Sequence, residues 1–202
     1  MLVPWQSVLE GDLAQRALAT IDDLSTALAP GKVTTAQGPS WAGGHAGLGI
    51  LFAQLATTAV PDAETRANQH IEHAIKGLST MPMLPSLLAG FTGIAWATLY
   101  LQDAFDGRRD LEYTAELDDA LLEHVSRAPY TRDYDLVAGL AGFGLYAAYR
   151  GDDYGQALAA QVVARLDELA EHDDSGVTWF TPPQFVPPHQ LETWPQGYHN
   201  LG

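Results

Sequence analysis

The feature that most limits what this chain can fold into is a glycine-spaced segment that occurs three times. Ser40-Trp-Ala-Gly-Gly44-His-Ala-Gly47-Leu-Gly49 aligns with Ser86-Leu-Leu-Ala-Gly90-Phe-Thr-Gly93-Ile-Ala95, and both align with Asp135-Leu-Val-Ala-Gly139-Leu-Ala-Gly142-Phe-Gly144. The shared pattern is Ser/Asp-x-x-(Gly/Ala)-Gly-x-(Ala/Thr)-Gly-(apolar)-(Gly/Ala). Gly44 to Gly90 is 46 positions and Gly90 to Gly139 is 49, a period that suits one pair of helices per repeat. Glycine inside a helix costs about 0.5–1 kcal/mol against alanine, so three repeated pairs need a reason. Close approach of neighbouring helices around a narrow axis is the reason the sequence suggests.

Each glycine segment opens or lies within a stretch without Asp, Glu, Lys or Arg: 33–61, 77–102 and 136–149. Between these lie charged, helix-patterned stretches. Ser7–Ala29 places Leu9, Leu13, Ala17, Ile21, Leu24 and Leu28 at three- and four-residue steps. Asp62–Leu78, Asp110–Val125 and Asp152–His172 repeat the device. No window of comparable length alternates like a strand, so the class is all-α. Apolar helices covered on all sides, alternating with helices covered on one, predict an incomplete α/α toroid: inner helices wrapped by outer ones.

The uncharged stretches do not read as membrane spans, which need about 20 continuous apolar residues. Pro82 and Pro85 cut the second, and Pro39, Gly43, Gly44 and His45 interrupt the first. Met1–Gly11 carries no Lys or Arg and no apolar core of signal-peptide length, which implies a cytoplasmic chain. The 202 residues hold 10 basic against 25 acidic side chains, a formal charge of -15. That excess disfavours nucleic acid and anionic membrane surfaces as partners. With no cysteine, the chain has no disulfide, no thiolate nucleophile and no cysteine-ligated zinc of its own.

At the glycine segments the sequence resembles the lanthionine synthetase C-like family, the cyclases that close thioether rings in lanthipeptides. The likeness runs from about Trp41 to Gly202. It is most specific at Tyr134-Asp135-Leu136-Val137-Ala138-Gly139-Leu140-Ala141-Gly142 and at Gly197-Tyr198-His199-Asn200-Leu201-Gly202. The resemblance implies a toroid of seven inner and seven outer helices, of which this chain holds three inner and four outer. It also implies a zinc ion held by two cysteines and a histidine, and a histidine acting as acid/base, all beyond Gly202. Residues 1–202 are therefore expected to be a single partial toroid domain, truncated before the zinc-binding half. The implied partners are a precursor peptide, a lanthipeptide dehydratase and the C-terminal half, with self-association through uncovered inner helices as a further expectation.

In that chemistry a cysteine thiol adds to a dehydroalanine or dehydrobutyrine, and a general acid protonates the enolate formed. Asp135 matches the family's active-site aspartate by position, and an inner-helix N-terminus would stabilise its carboxylate. It is at once a candidate helix cap, as Ser40 and Ser86 are in the same register, and a candidate catalytic group of an intact enzyme. His45, inside the first glycine segment, is a candidate packing residue or substrate contact. His70 and His73, three apart on a charged helix, read as solvated surface rather than as a metal site. His189 and His199 fall in a Pro-rich connection whose Trp179, Phe180, Phe185 and Trp194 either pin it to the body or line a rim for peptide.

Three functions compete at this point. The chain is the N-terminal half of a zinc-dependent lanthionine cyclase, inactive alone. Alternatively, it is a non-catalytic half-toroid that binds peptide or a partner. A toroid glycosidase would need paired carboxylates in its cavity, and only Asp135 stands at an inner-helix start.

Overall fold

The computed structural model describes residues 8–33, 38–58, 60–174 and 176–201. Seven helices come first: α1 (Gly11–Ala27), α2 (His45–Leu55), α3 (Ala63–Leu78), α4 (Phe91–Asp106), α5 (Ala115–Ser126), α6 (Leu140–Arg150) and α7 (Asp153–Leu169). The apolar stretches supply α2, α4 and α6. They pack α2 on α4 and α4 on α6, and are backed by α3, α5 and α7. This is the arc of inner and outer helices that the sequence predicts, in a mainly helical chain.

The central helix shows why its sequence is apolar all round. Ile94, Ala97 and Leu101 of α4 join a core with Phe52 of α2 and Ala67 and Ile71 of α3. Ala95 and Leu99 face the opposite way, into a core with Leu121, Phe143, Tyr146 and Leu158. Truncating a fully buried ring such as Phe52 or Phe143 costs about 3–5 kcal/mol. Glycine punctuates the inner helices at their other end too. Gly107 and Gly151 close α4 and α6 with φ +65° and +72°, a left-handed conformation that side chains resist.

Two expectations are corrected. The first helix forms, but its apolar stripe is only partly covered among the described residues: Ala17 and Ile21 are half-buried, while Leu13 is 60% exposed and Leu24 54%. Its C-terminal end is tied down by Arg66 donating to the Ser25 carbonyl at 3.1 Å and by Leu28 packing into the first core. Ser7, where that helix was expected to start, lies outside the described residues.

The second correction concerns the chain's end. α7 stops at Leu169 rather than running to His172, and the next residues form a three-stranded antiparallel sheet: β1 (Ala170–Asp173), β2 (Gly176–Thr181) and β3 (Tyr198–Leu201). Ala170 pairs with Trp179, and Trp179 with Asn200. No helix is long and apolar enough to cross a membrane among the described residues.

Candidate functional site

The three glycine segments build three equivalent turns. In each, the chain folds back before an inner helix, so that carbonyls seven residues upstream take up the helix's first N–H groups. His45, Phe91 and Leu140 donate to Gly38, Leu84 and Asp133 at 3.0, 3.1 and 3.3 Å. Ala46 and Ala141 donate in the same way to Pro39 and Tyr134. This contact accounts for the glycines. A Cβ on Gly47, Gly93 or Gly142 would collide with the carbonyl oxygen of Trp41, Leu87 or Leu136, each six residues back. The expected cause, close packing of inner helices, contributes less: the Leu87 Cβ stands 3.0 Å from where a Cβ of Gly142 would sit.

The turns are also joined to one another at equivalent positions. The Ala42 N–H donates to the Leu88 carbonyl at 2.8 Å, and the Leu88 N–H donates to the Val137 carbonyl at 3.2 Å. Ser86 Oγ donates to that same Val137 oxygen at 3.0 Å. A backbone ladder thus runs across the ends of three inner helices and fixes the third turn, which carries Asp135, against the other two.

Asp135 caps its own turn and not α6. Its Oδ1 accepts the Ala138 N–H at 2.7 Å, as Ser86 Oγ accepts the Ala89 N–H at 3.0 Å. The residue at the start of α6 is Gly139, in extended backbone and without a side-chain cap. The helix-terminus argument for Asp135 is therefore replaced by a turn argument, because carbonyls already fill the first N–H groups of α6. The Asp135 side chain is exposed, and its second oxygen has no protein partner among the described residues.

Two neighbours were not singled out from the sequence. Asp133 Oδ1 accepts the N–H groups of Tyr134 and Asp135 at 2.8 and 3.3 Å. Burial, and then the charge of Asp135, pushes the Asp133 carboxyl above its ordinary range, with those N–H groups opposing. Tyr134 stands where the first two repeats carry Pro39 and Pro85. Its hydroxyl lies 2.6 Å from Thr181 Oγ1, donates to the Trp179 carbonyl at 3.1 Å and accepts from Asn200 Nδ2 at 2.5 Å. The third turn and the last strand therefore meet through Tyr134 and Asn200. The replacement of proline by tyrosine in the third repeat was the available signal.

The histidines divide. His45 is 8% exposed and His70 fully buried, which overturns the solvated reading of His70. Their Nδ1 atoms lie 2.9 Å apart, and His70 Nε2 is 3.0 Å from the Leu28 carbonyl. That carbonyl only accepts, so the network assigns the proton of His70 to Nε2 and makes His45 the donor between the two Nδ1 atoms. Burial lowers both, His70 to about 4. His73 is exposed and stacks on His45 with ring centroids 5.0 Å apart. His199 on β3 is exposed, with Nδ1 3.6 Å from Glu171 Oε2, and His189 is exposed in the connection before it. Trp179, on β2, pins the sheet by donating Nε1–H to the Leu166 carbonyl at 2.9 Å, while Trp194 in that connection stays 47% exposed.

Beside the turns, half-buried aromatic rings line the inner helices. Trp41 stacks on Trp96 at 4.4 Å, and Trp96 meets Tyr100 and Tyr149 at 5.1 Å each. A recess of about 380 Å³ opens between Trp41, Gly43, Gly44, Leu48 and Leu88. As for the metal of the resembling family, the donors present do not fit a thiol-activating zinc. The sequence has no cysteine, and among the described residues no three His, Asp or Glu converge on one point.

No curated protein matches the chain. The sequence model of the lanthionine synthetase C-like protein family matches residues 35–190, which span all three turns and six of the seven helices. That match covers most of the chain and agrees with the helical arc, so the chain belongs to the lanthionine synthetase C-like family.

Proposed function

We propose that this chain forms one wall of a lanthionine cyclase chamber, in which a cysteine thiol of a precursor peptide adds to a dehydrated serine or threonine. The observation that carries the reading is the third turn. Asp135, which we assign to the aspartate position expected of the family, is exposed, with one carboxylate oxygen held by Ala138 and the other open. In ring closure the sulfur bonds to the β-carbon, the double-bond pair moves toward the carbonyl as an enolate, and a proton is delivered to the α-carbon. The open oxygen of Asp135 accepts a hydrogen bond from the group that delivers that proton and orients it. Asp133 braces the turn through two N–H groups. Tyr134 ties it to β2 and β3, so the carboxylate is held on a fixed backbone.

Since the donors in this chain do not fit zinc, activation of the thiol is assigned to a further polypeptide segment or partner, and the chain alone is expected to be inactive. A dehydratase supplies the dehydrated peptide, in the cytoplasm where that peptide is made. His45 faces His70, and we assign it to packing before substrate contact.

A second reading is peptide binding without catalysis, favoured by the aromatic row of Trp41, Trp96 and Tyr100. Fluorescence anisotropy with a dehydrated, cysteine-containing precursor peptide tests both. The cyclase reading expects binding that Asp135→Asn leaves within about threefold, with folding changed by no more than about 1 kcal/mol. No binding by the wild-type chain would end both readings.

A further inference from the structure

A groove on the outer side of the arc plays no part in the chemistry above. About 660 Å³ of space lies between α3 and the 3-10 turn Leu111–Thr114 that leads into α5, lined by Ile75, Leu78, Ile94, Thr98, Tyr113 and Leu117. Ile75, Thr98 and Tyr113 also line a second recess of about 400 Å³ that continues along α3 to Glu64 and reaches Phe105. The two form one trough with α4 as its floor. Ile75 is 41% exposed and Tyr113 70%, so apolar surface is left uncovered on its walls.

The rim is of one sign. Glu64, Glu72, Asp106, Glu112 and Glu116 line the two recesses, and all five are exposed. None lies within ion-pair distance of a Lys, Arg or His among the described residues, whereas Glu123, Asp152 and Glu168 elsewhere are paired. From Glu64 to Leu78 the trough follows α3 for fourteen steps of about 1.5 Å, roughly 21 Å, or about four helical turns. Apolar side chains on the two walls, rimmed by unpaired carboxylates, are complementary to a helix with an aliphatic stripe and a cationic flank. A second copy of this chain does not fit that description. The partly exposed stripe of α1 is flanked by Asp12, Asp22 and Asp23 against Arg16 alone, and the chain as a whole carries -15.

We propose that this groove docks a basic amphipathic helix of a partner protein, with aliphatic side chains over Ile75 and Tyr113 and lysines or arginines opposite the five carboxylates. The proposal does not depend on the cyclase reading.

The test is anisotropy with a fluorescein-labelled 18-residue helical peptide, Leu on one face and Lys on the other, against a scrambled peptide of identical composition, using the full chain. Tight binding of the amphipathic peptide, at least tenfold weaker binding of the scramble, and weakening as salt rises from 0.05 to 0.3 M are expected. Ile75→Ser with Tyr113→Ala should lower affinity about tenfold. Glu72→Gln, Glu112→Gln and Glu116→Gln together should do the same and flatten the salt dependence. Asp12→Asn, Asp22→Asn and Asp23→Asn together, which remove as much charge from α1, should change it less than twofold. Equal binding of the scramble, or equal weakening by the α1 variant, would overturn the proposal, since acidity alone would then explain binding. Hydrogen exchange on the complex should protect α3 and residues 105–117; protection confined to α1 overturns the assignment. If the unliganded chain sediments as a dimer that Ile75→Ser dissociates, the groove belongs to a second copy and the proposal fails.

Discussion

The two cores that meet on opposite faces of α4 stand on the same backbone turn and bury opposite kinds of polar group. Around α2 and α3 the buried pair is two neutral imidazoles, His45 and His70, joined through their Nδ1 atoms. Around α5, α6 and α7 it is an ion pair. Arg150 bonds Asp118 and reaches Thr114 Oγ1 at 3.0 Å and Asp152 at 3.0 Å, while Tyr146 donates to Asp118 at 2.5 Å. The comparison teaches that the turn leaves the side-chain chemistry of each wedge free, and that each wedge acquires its own pH window.

The windows follow from sign. His70 has a folded pKa of about 4 against an ordinary 6.5, so the unfolded chain takes up its proton first. Stability is intact above about pH 6.5 and falls progressively toward pH 4. A proton added at His70 Nδ1 would also set N–H against N–H. In the other core, burial would raise Asp152, but the Gly155 N–H and then Arg150 outweigh it and hold its carboxyl low. That contribution persists above the ordinary carboxylate pKa and is lost only as pH falls through the folded value. The half-buried His124 on α5 is lowered too, by burial and then Arg132 and Arg127, so the second core is less sensitive near pH 5–6 without being indifferent.

The largest expected effect comes from breaking the charged core. Asp118→Ala leaves Arg150 buried without its partner and should cost about 3–5 kcal/mol in urea unfolding at pH 7. Asp118→Leu with Arg150→Met should recover much of that. A single substitution costing under about 1 kcal/mol would erase the contrast between the cores. Next, the turn common to both should be insensitive to pH and intolerant of a side chain. Gly93→Ala should cost about 3 kcal/mol, since its Cβ meets the Leu87 carbonyl. Gly144→Ala, with Val162 Cγ1 at 3.5 Å from its Cβ, should be neutral or slightly stabilising. Similar costs for the two alanines would contradict the turn as the reason for the glycines.

The imidazole core should show itself between pH 7.5 and 5, where the wild-type chain loses about 2–3 kcal/mol and His70→Gln at most half of that. Identical pH profiles would remove His70 as the cause. The smallest effect is Tyr134→Phe, about 1 kcal/mol, with faster amide exchange in β2 and β3.

Much of this was legible in the sequence because the repeat and the helical periodicity carry it. The charge-free stretches became α2, α4 and α6, and the charged ones supplied the outer helices. The small sheet was not legible, since β1 is Ala-Glu-His-Asp, a polar continuation of the α7 pattern, and β3 pairs with β2 from 17 residues away. The burial of His70 was hidden because it shares a helix face with exposed His73, and it is covered by residues distant in sequence, Leu28, His45 and Phe52. Asp135 was visible as a position in the repeat. Its role as a turn cap was not, because periodicity does not reveal which carbonyls fold back on a helix start.

The measurement that bears most directly on the functional reading is a count of alkylation-resistant cysteines by mass spectrometry. A dehydrated precursor peptide is incubated with this chain, together with a zinc-loaded segment carrying the family's metal ligands. The wild-type mixture is predicted to close rings and protect the thiols, and Asp135→Asn to slow closure by about a hundredfold while still binding peptide. Ring closure at the wild-type rate with Asp135→Asn would contradict the assignment of Asp135, and thiols left open by the folded, peptide-bound wild-type mixture would contradict the cyclase reading itself.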